Sequence, residues 1–313
     1  ALITLSYAAA FVSSHSMIAL PSEGYAWGSF FLTYYGAPQV IAMGLCFLLL
    51  GKRLRIASER IGLISWPDFY EKRFESKGLK VFISIVLIFA FYVYTAVIYI
   101  GFARALAGYL GIPYWVGVVI PAIVVSIYTM LGGFRGVVWT DAIQAILFII
   151  VVLVLLVTGL IAVGGPSVAI ERIYNEVSPQ LLTYPYYITP ETVPGVKFPL
   201  MPKVHIDTFF GGSWETAITA IAPAVFATNI IFLMTMPHVM MRLYAYKEMK
   251  VARWAPLILV VIGAIVIFGG RFIGLLGRLI IPEVLPTPDF AFPRLLLALT
   301  PIWFSAIGIA AVC

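Results

Sequence analysis

The chain has 313 residues, 62% of them hydrophobic and only 11% charged. A water-soluble domain carries about 25% charged residues, so composition excludes an ordinary soluble enzyme or binding module and points to an all-α polytopic membrane protein. The formal net charge of +6 would suit a nucleic-acid binder among soluble proteins; here the loops account for it, and no nucleic-acid partner is expected.

Taken in order, the apolar runs predict spans, most longer than the roughly 18 residues that mark a membrane helix. Helix 1 is expected from about Leu2 to Leu20, and helix 2 from about Ser29 to Leu50, stopping at GKRLR. Residues 52–78 read as a polar, basic loop; within it SWPDFYEKRF has a helix start, with Ser65 as cap and Pro67 in the first turn. Helix 3 is predicted over Lys80 to Leu110, helix 4 over Trp115 to Met130, and helix 5 over Val137 to Val163, the last two joined by the turn GGFR. Residues 165–212, rich in Pro, Tyr and Thr, form a loop too polar for lipid. Helix 6 is predicted over Glu215 to Met236, interrupted by Pro223, and helix 7 over Trp254 to Ile281. A proline-rich loop carries the short amphipathic piece FAFPRLLLAL, and an eighth span begins near Pro301. The start shows no signal peptide and the end falls in an apolar run, so a fragment of a longer membrane domain is expected. Cys46 and Cys313 both lie in apolar runs and suggest neither disulfide nor metal site.

Basic residues orient these spans. With the start of helix 1 inside, thirteen Lys and Arg fall in the inner segments 52–80, 131–136 and 237–253, against five in the outer loops. The asymmetry supports that orientation.

Helix 1 carries the first chemical signal. Ser13, Ser14, His15 and Ser16 occupy mid-span, where lipid demands apolar residues, and Pro21 and Gly24 follow. Polar, loosened backbone at membrane depth must be satisfied by protein or line a water-filled cavity. The alternative is a helix whose serines bond back to their own i−4 carbonyls. Helix 6 echoes the pattern, with Pro223 mid-span and Thr228 and Asn229 beyond it. Five spans separate the two, so they cross in opposite directions, the arrangement in which broken helices of inverted repeats flank a binding site. The second signal is Asp141 near the inner end of helix 5, with Gln144 three residues on. An intramembrane acid is costly unless paired or hydrated; alternatively it complements a helix N-terminus.

The run YTMLGGFRGVVWTDAIQAILFI, Tyr128 to Ile149, resembles the GG-x-x-x-V-x-x-TD-x-x-Q pattern of the sodium:solute symporter family. WPDFYEKRF, GYAWG at Gly24 to Gly28, and the PH-x-x-x-R-x-x-A-x-K pattern of Pro237, His238, Arg242, Ala245 and Lys247 agree with it in order along the chain. The resemblance implies the leucine-transporter-type fold of inverted five-helix repeats: a first repeat over 1–164, the outer loop 165–212, and a partial second repeat over 213–313 truncated in the eighth core helix, all in one transmembrane domain. It implies Na⁺ as coupling ion, held by backbone carbonyls of Ala9 and Val12 together with hydroxyls of the eighth helix. Solute contacts are expected from Ser13, Ser14, His15, Ser16, Thr228 and Asn229, and an ion pathway at Asp141 and Gln144. Tyr92, Tyr94 and Thr95 on helix 3 are further candidates for the cavity. Pro-His at 237–238 is similar to the pantothenate, monocarboxylate and proline branches, while Phe11 replaces the acid of proline carriers. The expected partners are a small organic carboxylate and the lipid bilayer of the cell membrane, with no obligate protein partner. The same membrane domain fused to a signalling module is the alternative. A membrane-embedded enzyme is disfavoured, since the sequence has no HExxH and no paired intramembrane carboxylates.

Overall fold

The computed structural model describes residues 2–29, 36–63, 65–177, 179–182, 227–243, 245–246, 249–283 and 285–312. Within α1 (Leu2–Trp27) the side chains of Ser13, Ser14 and His15 are outside the description, as is Pro223, so the expected interruption of helix 6 there lies outside the described residues. Everything regular among the described residues is helical.

The first helix does not stop at Leu20. It continues through Pro21 to Trp27, and bends by 46° between its inner part, Leu2–Val12, and its outer part, Ser16–Trp27. The helical trace persists through the serine cluster, so the predicted break is a bend. Helix 2 also outruns its prediction. α2 (Ala37–Cys46) passes through one π turn, Phe47–Gly51, into α3 (Lys52–Ile61), and the helix ends only where Gly62 adopts a left-handed conformation, φ 59°. GKRLR does not terminate it, because Lys and Arg are good helix formers and a helix that has left the membrane faces water at no cost. Lys72 closes the end, its Nζ donating to the carbonyls of Ile61 and Gly62.

α4 (Trp66–Phe74) starts where expected: the Ser65 N–H donates to Asp68 Oδ2 at 2.7 Å. Asp68 and Glu71 also hold Lys80 at 2.8 and 2.7 Å, fastening α4 to the base of α5 (Lys77–Leu110). α6 (Tyr114–Val163) comprises the predicted helices 4 and 5. They meet at Gly133, whose φ of 53° and ψ of −154° suit only glycine. A Cβ at Gly136 would lie 3.8 Å from the Tyr128 carbonyl oxygen. Eight residues of straight helix would separate them by about 12 Å, so the chain folds back into two arms, 114–132 and 134–163.

The long segment after α6 opens with α7 (Pro166–Arg172) and a π turn, Ile173–Val177. Residues 227–234 form the described part of α8, followed by the short α9 (Pro237–Leu243). α10 (Met249–Gly263) joins α11 (Gly269–Ile280) through a second π turn. α12 (Ala291–Leu299) lies in the proline-rich loop, and α13 (Ile302–Val312) is the start of the predicted eighth span.

Lys77–Leu110, Tyr114–Val163 and the continuous run Arg253–Ile280 are long and apolar enough to cross a membrane, and the bent α1 adds a fourth. The chain is a multi-pass membrane protein. α1 is its axis, and small residues let it be so. A Cβ at Gly24 would stand 1.8 Å from the Arg271 carbonyl oxygen, and one at Gly274 would stand 2.0 Å from that of Pro21. The outer half of α1 therefore lies backbone to backbone on α11, the close approach that glycines permit between membrane helices.

Candidate functional site

The bend places Ala9 and Val12 at the end of the inner part of α1, both buried at 4% and 3% exposure. Their carbonyls point along the helix toward residues 13–16, where a bend of this size lengthens or opens i→i−4 bonds on its convex side. Ser16, half-buried, begins the outer part. Thr228 is exposed and Asn229 half-buried on α8. Of the helix 3 candidates, Tyr92 is 76% exposed and Thr95 is exposed, so both face away from the described core; Tyr94 turns inward. Tyr92 and Thr95 lie on another face of the helix from Tyr94, because a helix turns neighbouring residues to different sides.

Tyr94 stacks on His238, ring centroids 5.6 Å apart, with Phe91 edge-on to the same imidazole at 5.8 Å. His238 thus brings α9 against α5 and toward the Ala10 carbonyl of α1. Among the described residues neither ring nitrogen reaches hydrogen-bond geometry with a partner.

Asp141 lies two turns beyond Gly133, well inside its arm, so the helix-terminus role does not describe it: that field fades within the first turn. It is paired with Arg242, whose Nη2 donates to Asp141 Oδ2. Ser6 Oγ donates to the same oxygen at 2.9 Å and accepts from Arg242 Nε at 2.9 Å. Arg242 Nη1 donates to the His238 carbonyl at 2.6 Å. Ser6 is fully buried and Arg242 is 6% exposed. Three elements, α1, the second arm of α6 and α9, therefore meet in one ion-paired knot at the inner end of the bundle. Gln144, half-buried, follows Asp141 by one turn.

A second buried charge pair lies nearer the outer end. Arg271 of α11 has no exposed surface; its Nε donates to Glu23 Oε2 of α1 at 2.8 Å and its Nη2 to Gln39 Oε1 of α2 at 3.0 Å. Beyond it Arg278 Nε donates to the Tyr25 carbonyl at 2.6 Å, with its guanidinium 4.0 Å from the Tyr25 ring.

Two of the motifs singled out in the sequence, the one holding Asp141 and the one holding His238 and Arg242, are thus neighbours in space. Residues 1–313 match the sodium:solute symporter family along their whole length. The chain belongs to the sodium:solute symporter family. Members of this family are transport proteins rather than enzymes. It is 28% identical over 309 residues to a sodium/pantothenate symporter of Haemophilus influenzae, covering 99% of this chain and 58% of the relative. The sodium/pantothenate symporter of Escherichia coli is 28% identical over 283 residues, covering 90% and 53%. A human sodium-coupled monocarboxylate transporter 2 is 31% identical over 173 residues, covering 55% and 27%. The chain spans little more than half the length of the pantothenate symporters it matches.

Within this symporter domain the sequence reading passed over Ser6, Glu23 and Arg271. Ser6 looks like an ordinary small residue in an apolar run. Glu23 and Arg271 each offered a signal, a lone charge inside a span that has to find an opposite partner, but nothing in the spacing says which.

Proposed function

We propose that this symporter domain belongs to a carrier that moves a small organic carboxylate together with Na⁺ by alternating access across the cell membrane. The observation that carries this reading is the family match over all 313 residues, and the names of the relatives support a pantothenate- or monocarboxylate-like solute. In this reading the fold is leucine-transporter-like, with a first repeat over 1–164, an outer loop over 165–212 and the beginning of an inverted repeat over 213–313. Na⁺ is a hard cation that takes oxygen ligands, and carbonyls at a helix discontinuity supply them. Ala9 and Val12, just before the bend of α1, are the proposed backbone ligands. Ser13, Ser14, His15 and Ser16 at the bend, with Thr228 and Asn229 on α8, are the proposed solute contacts. The outer part of α1 starts there, and where a carrier opens the helix bonds at the bend, the N–H groups so freed and the helix dipole favour a carboxylate. Asp141 and Gln144 line the proposed ion path to the inside.

The coupling requires that each ligand favour binding of the other. The test is uptake of labelled pantothenate, lactate, acetate and amino acids into vesicles holding the full-length protein, with and without an inward Na⁺ gradient. Gradient-dependent uptake of one of the carboxylates is expected; equal uptake under both conditions would remove the coupling. In the fraction of protein that folds, Asp141→Asn is expected to lower apparent Na⁺ affinity or slow Na⁺ release. An unchanged Na⁺ dependence would leave Asp141 with a purely structural role.

A further inference from the structure

Residues 52–80 hold eight basic and four acidic side chains. Three of the four acids are already engaged within the segment: Glu59 pairs with Arg55, and Asp68 and Glu71 both hold Lys80. Most of the cations are not. Lys72 is occupied by the carbonyls of Ile61 and Gly62, but Lys52, Arg53, Arg60, Arg73 and Lys77 are exposed, and none of them has an ion pair among the described residues. This part of the chain therefore presents positive charge that the described protein leaves unanswered.

Two of these cations stand at one corner. α4 ends where Glu75 adopts a left-handed conformation, φ 53°. α5 begins two residues later at Lys77, with the Ser76 hydroxyl accepting from the Leu79 N–H at 3.2 Å. The bonds from Lys80 back to Asp68 and Glu71 fix the two helices against each other. Arg73 and Phe74 thus close α4 where Lys77 opens α5. Phe74 is 61% exposed. Its ring stacks on Tyr70, centroids 6.4 Å apart, and the Arg73 guanidinium lies 6.0 Å from it. The run of rings continues through Phe69 and Trp66, so α4 carries an aromatic face of the kind that settles at the headgroup level of a bilayer.

Above the corner the surface of α5 changes character in one step. Lys77, Val81, Ile85 and Phe89 follow at four-residue spacing and share a face. The three apolar ones are 57%, 62% and 71% exposed, on a helix long and apolar enough to cross the membrane. From Lys77 to Phe89 the stripe rises about 18 Å at 1.5 Å per residue, close to the ~15 Å of hydrocarbon in one leaflet. A phospholipid has the same order of polarity over the same length, a phosphate followed by acyl chains. Arginine grips phosphate with a planar fork and lysine holds it as a point charge. Water would solvate the cations but not cover the stripe. A soluble acidic partner would answer the charges but could not follow the stripe into the membrane. An anionic lipid meets both.

We propose that Arg73, Phe74 and Lys77 form a binding site for an anionic phospholipid of the leaflet that faces the basic loops, its headgroup phosphate between the two cations and its acyl chains along Val81, Ile85 and Phe89. The bound lipid fastens the corner between α4 and α5 to the membrane surface. The site stands apart from the carrier reading above, since neither solute nor Na⁺ takes part in it.

The probe is phosphatidylglycerol with a fluorophore on one acyl chain, titrated onto the full-length protein in mixed micelles of a neutral detergent and followed by anisotropy. Unlabelled phosphatidylglycerol is expected to displace it, and phosphatidylcholine and glycerol phosphate are not. One Lys or Arg beside an anionic lipid is worth about fivefold in affinity. Arg73→Gln and Lys77→Gln are each expected to weaken binding by about that factor, and the two together by about twenty-fivefold. Arg73→Lys with Lys77→Arg keeps both charges and is expected to stay within about twofold of the parent. Arg172→Gln with Arg294→Gln removes the same charge from the opposite side and is expected to do the same. Raising the salt from about 0.05 to 0.5 M screens exposed cations and is expected to weaken binding to the unaltered protein, a reading that needs no variant. Equal displacement by phosphatidylcholine would overturn the site, since any acyl chain would then suffice. Displacement by glycerol phosphate would make it a soluble-phosphate site and overturn the lipid. Unchanged binding in the double Gln variant, or in high salt, would show the corner covered or unused. An equal loss in the opposite-side pair would reduce the effect to net charge and overturn it as well.

Discussion

Arg242 shows how one residue changes meaning once the chain is folded. In sequence it is a basic residue in an inner loop, one of the thirteen that orient the protein. In the structure it is buried and pairs with Asp141, with Ser6 bonded to both. Removing one partner of a buried pair strands the other and costs about 3–5 kcal/mol, while removing both costs much less. Arg242→Gln is therefore expected to lower the thermal stability of the full-length protein by an amount of that order, and Asp141→Asn in the same chain to recover most of it. A double-mutant cycle on melting in detergent measures the coupling. Additive losses would mean that the pair does not bind α9 to α6. Sequence reading identified Asp141 as a residue that needs an explanation, because an acid in an apolar helix always does. It could not name the partner, because Arg242 is 101 positions away and the pairing depends on how α9 docks.

At the scale of elements, glycines decide which helices touch. Gly24 and Gly274 leave no room for a Cβ, so Gly274→Ala is expected to push α11 from α1 and destabilise by about 1–3 kcal/mol or more, the usual cost of overpacking. Gly132→Ala is the control: nothing lies within 4 Å of a Cβ there, and thermal stability is expected to hold. One position on, Gly133→Ala forces an L residue into a region reserved for glycine and is expected to cost about 1–3 kcal/mol. The hairpin between the arms of α6 was legible as GGFR because paired glycines between apolar runs read as a turn. The course of α2 into α3 was not, because charge marks the edge of the membrane but does not end a helix. The 46° bend of α1 was legible in kind, from serines and a histidine at mid-span, though the helix follows the bend without unwinding.

For the whole molecule, a ligand that binds only the folded state stabilises it by mass action, by about 2.7 kcal/mol at a hundred times its dissociation constant. Na⁺ is thus expected to raise the melting temperature of the full-length protein where equal concentrations of K⁺ or choline do not. Equal shifts with all three cations would be an ionic-strength effect and would count against a specific ion site.

Sequence alone determined that this is a multi-pass helical membrane protein and that it resembles the symporter family, and its loop charges support one orientation of the spans. Each follows from local or additive properties: the length of apolar runs, the sum of charges in loops, and motifs read along the chain. Only the tertiary structure decided that Asp141 is paired with Arg242, that Arg271 joins α1 to α2, and that Asp289 ties a distant loop to Ser22 and Arg104. These are contacts between residues far apart in the chain. A buried charge announces in sequence that it must have a partner, since burial without one is prohibitive, but the choice among partners depends on helix packing, which glycines such as Gly24 and Gly274 set at distances no linear pattern contains.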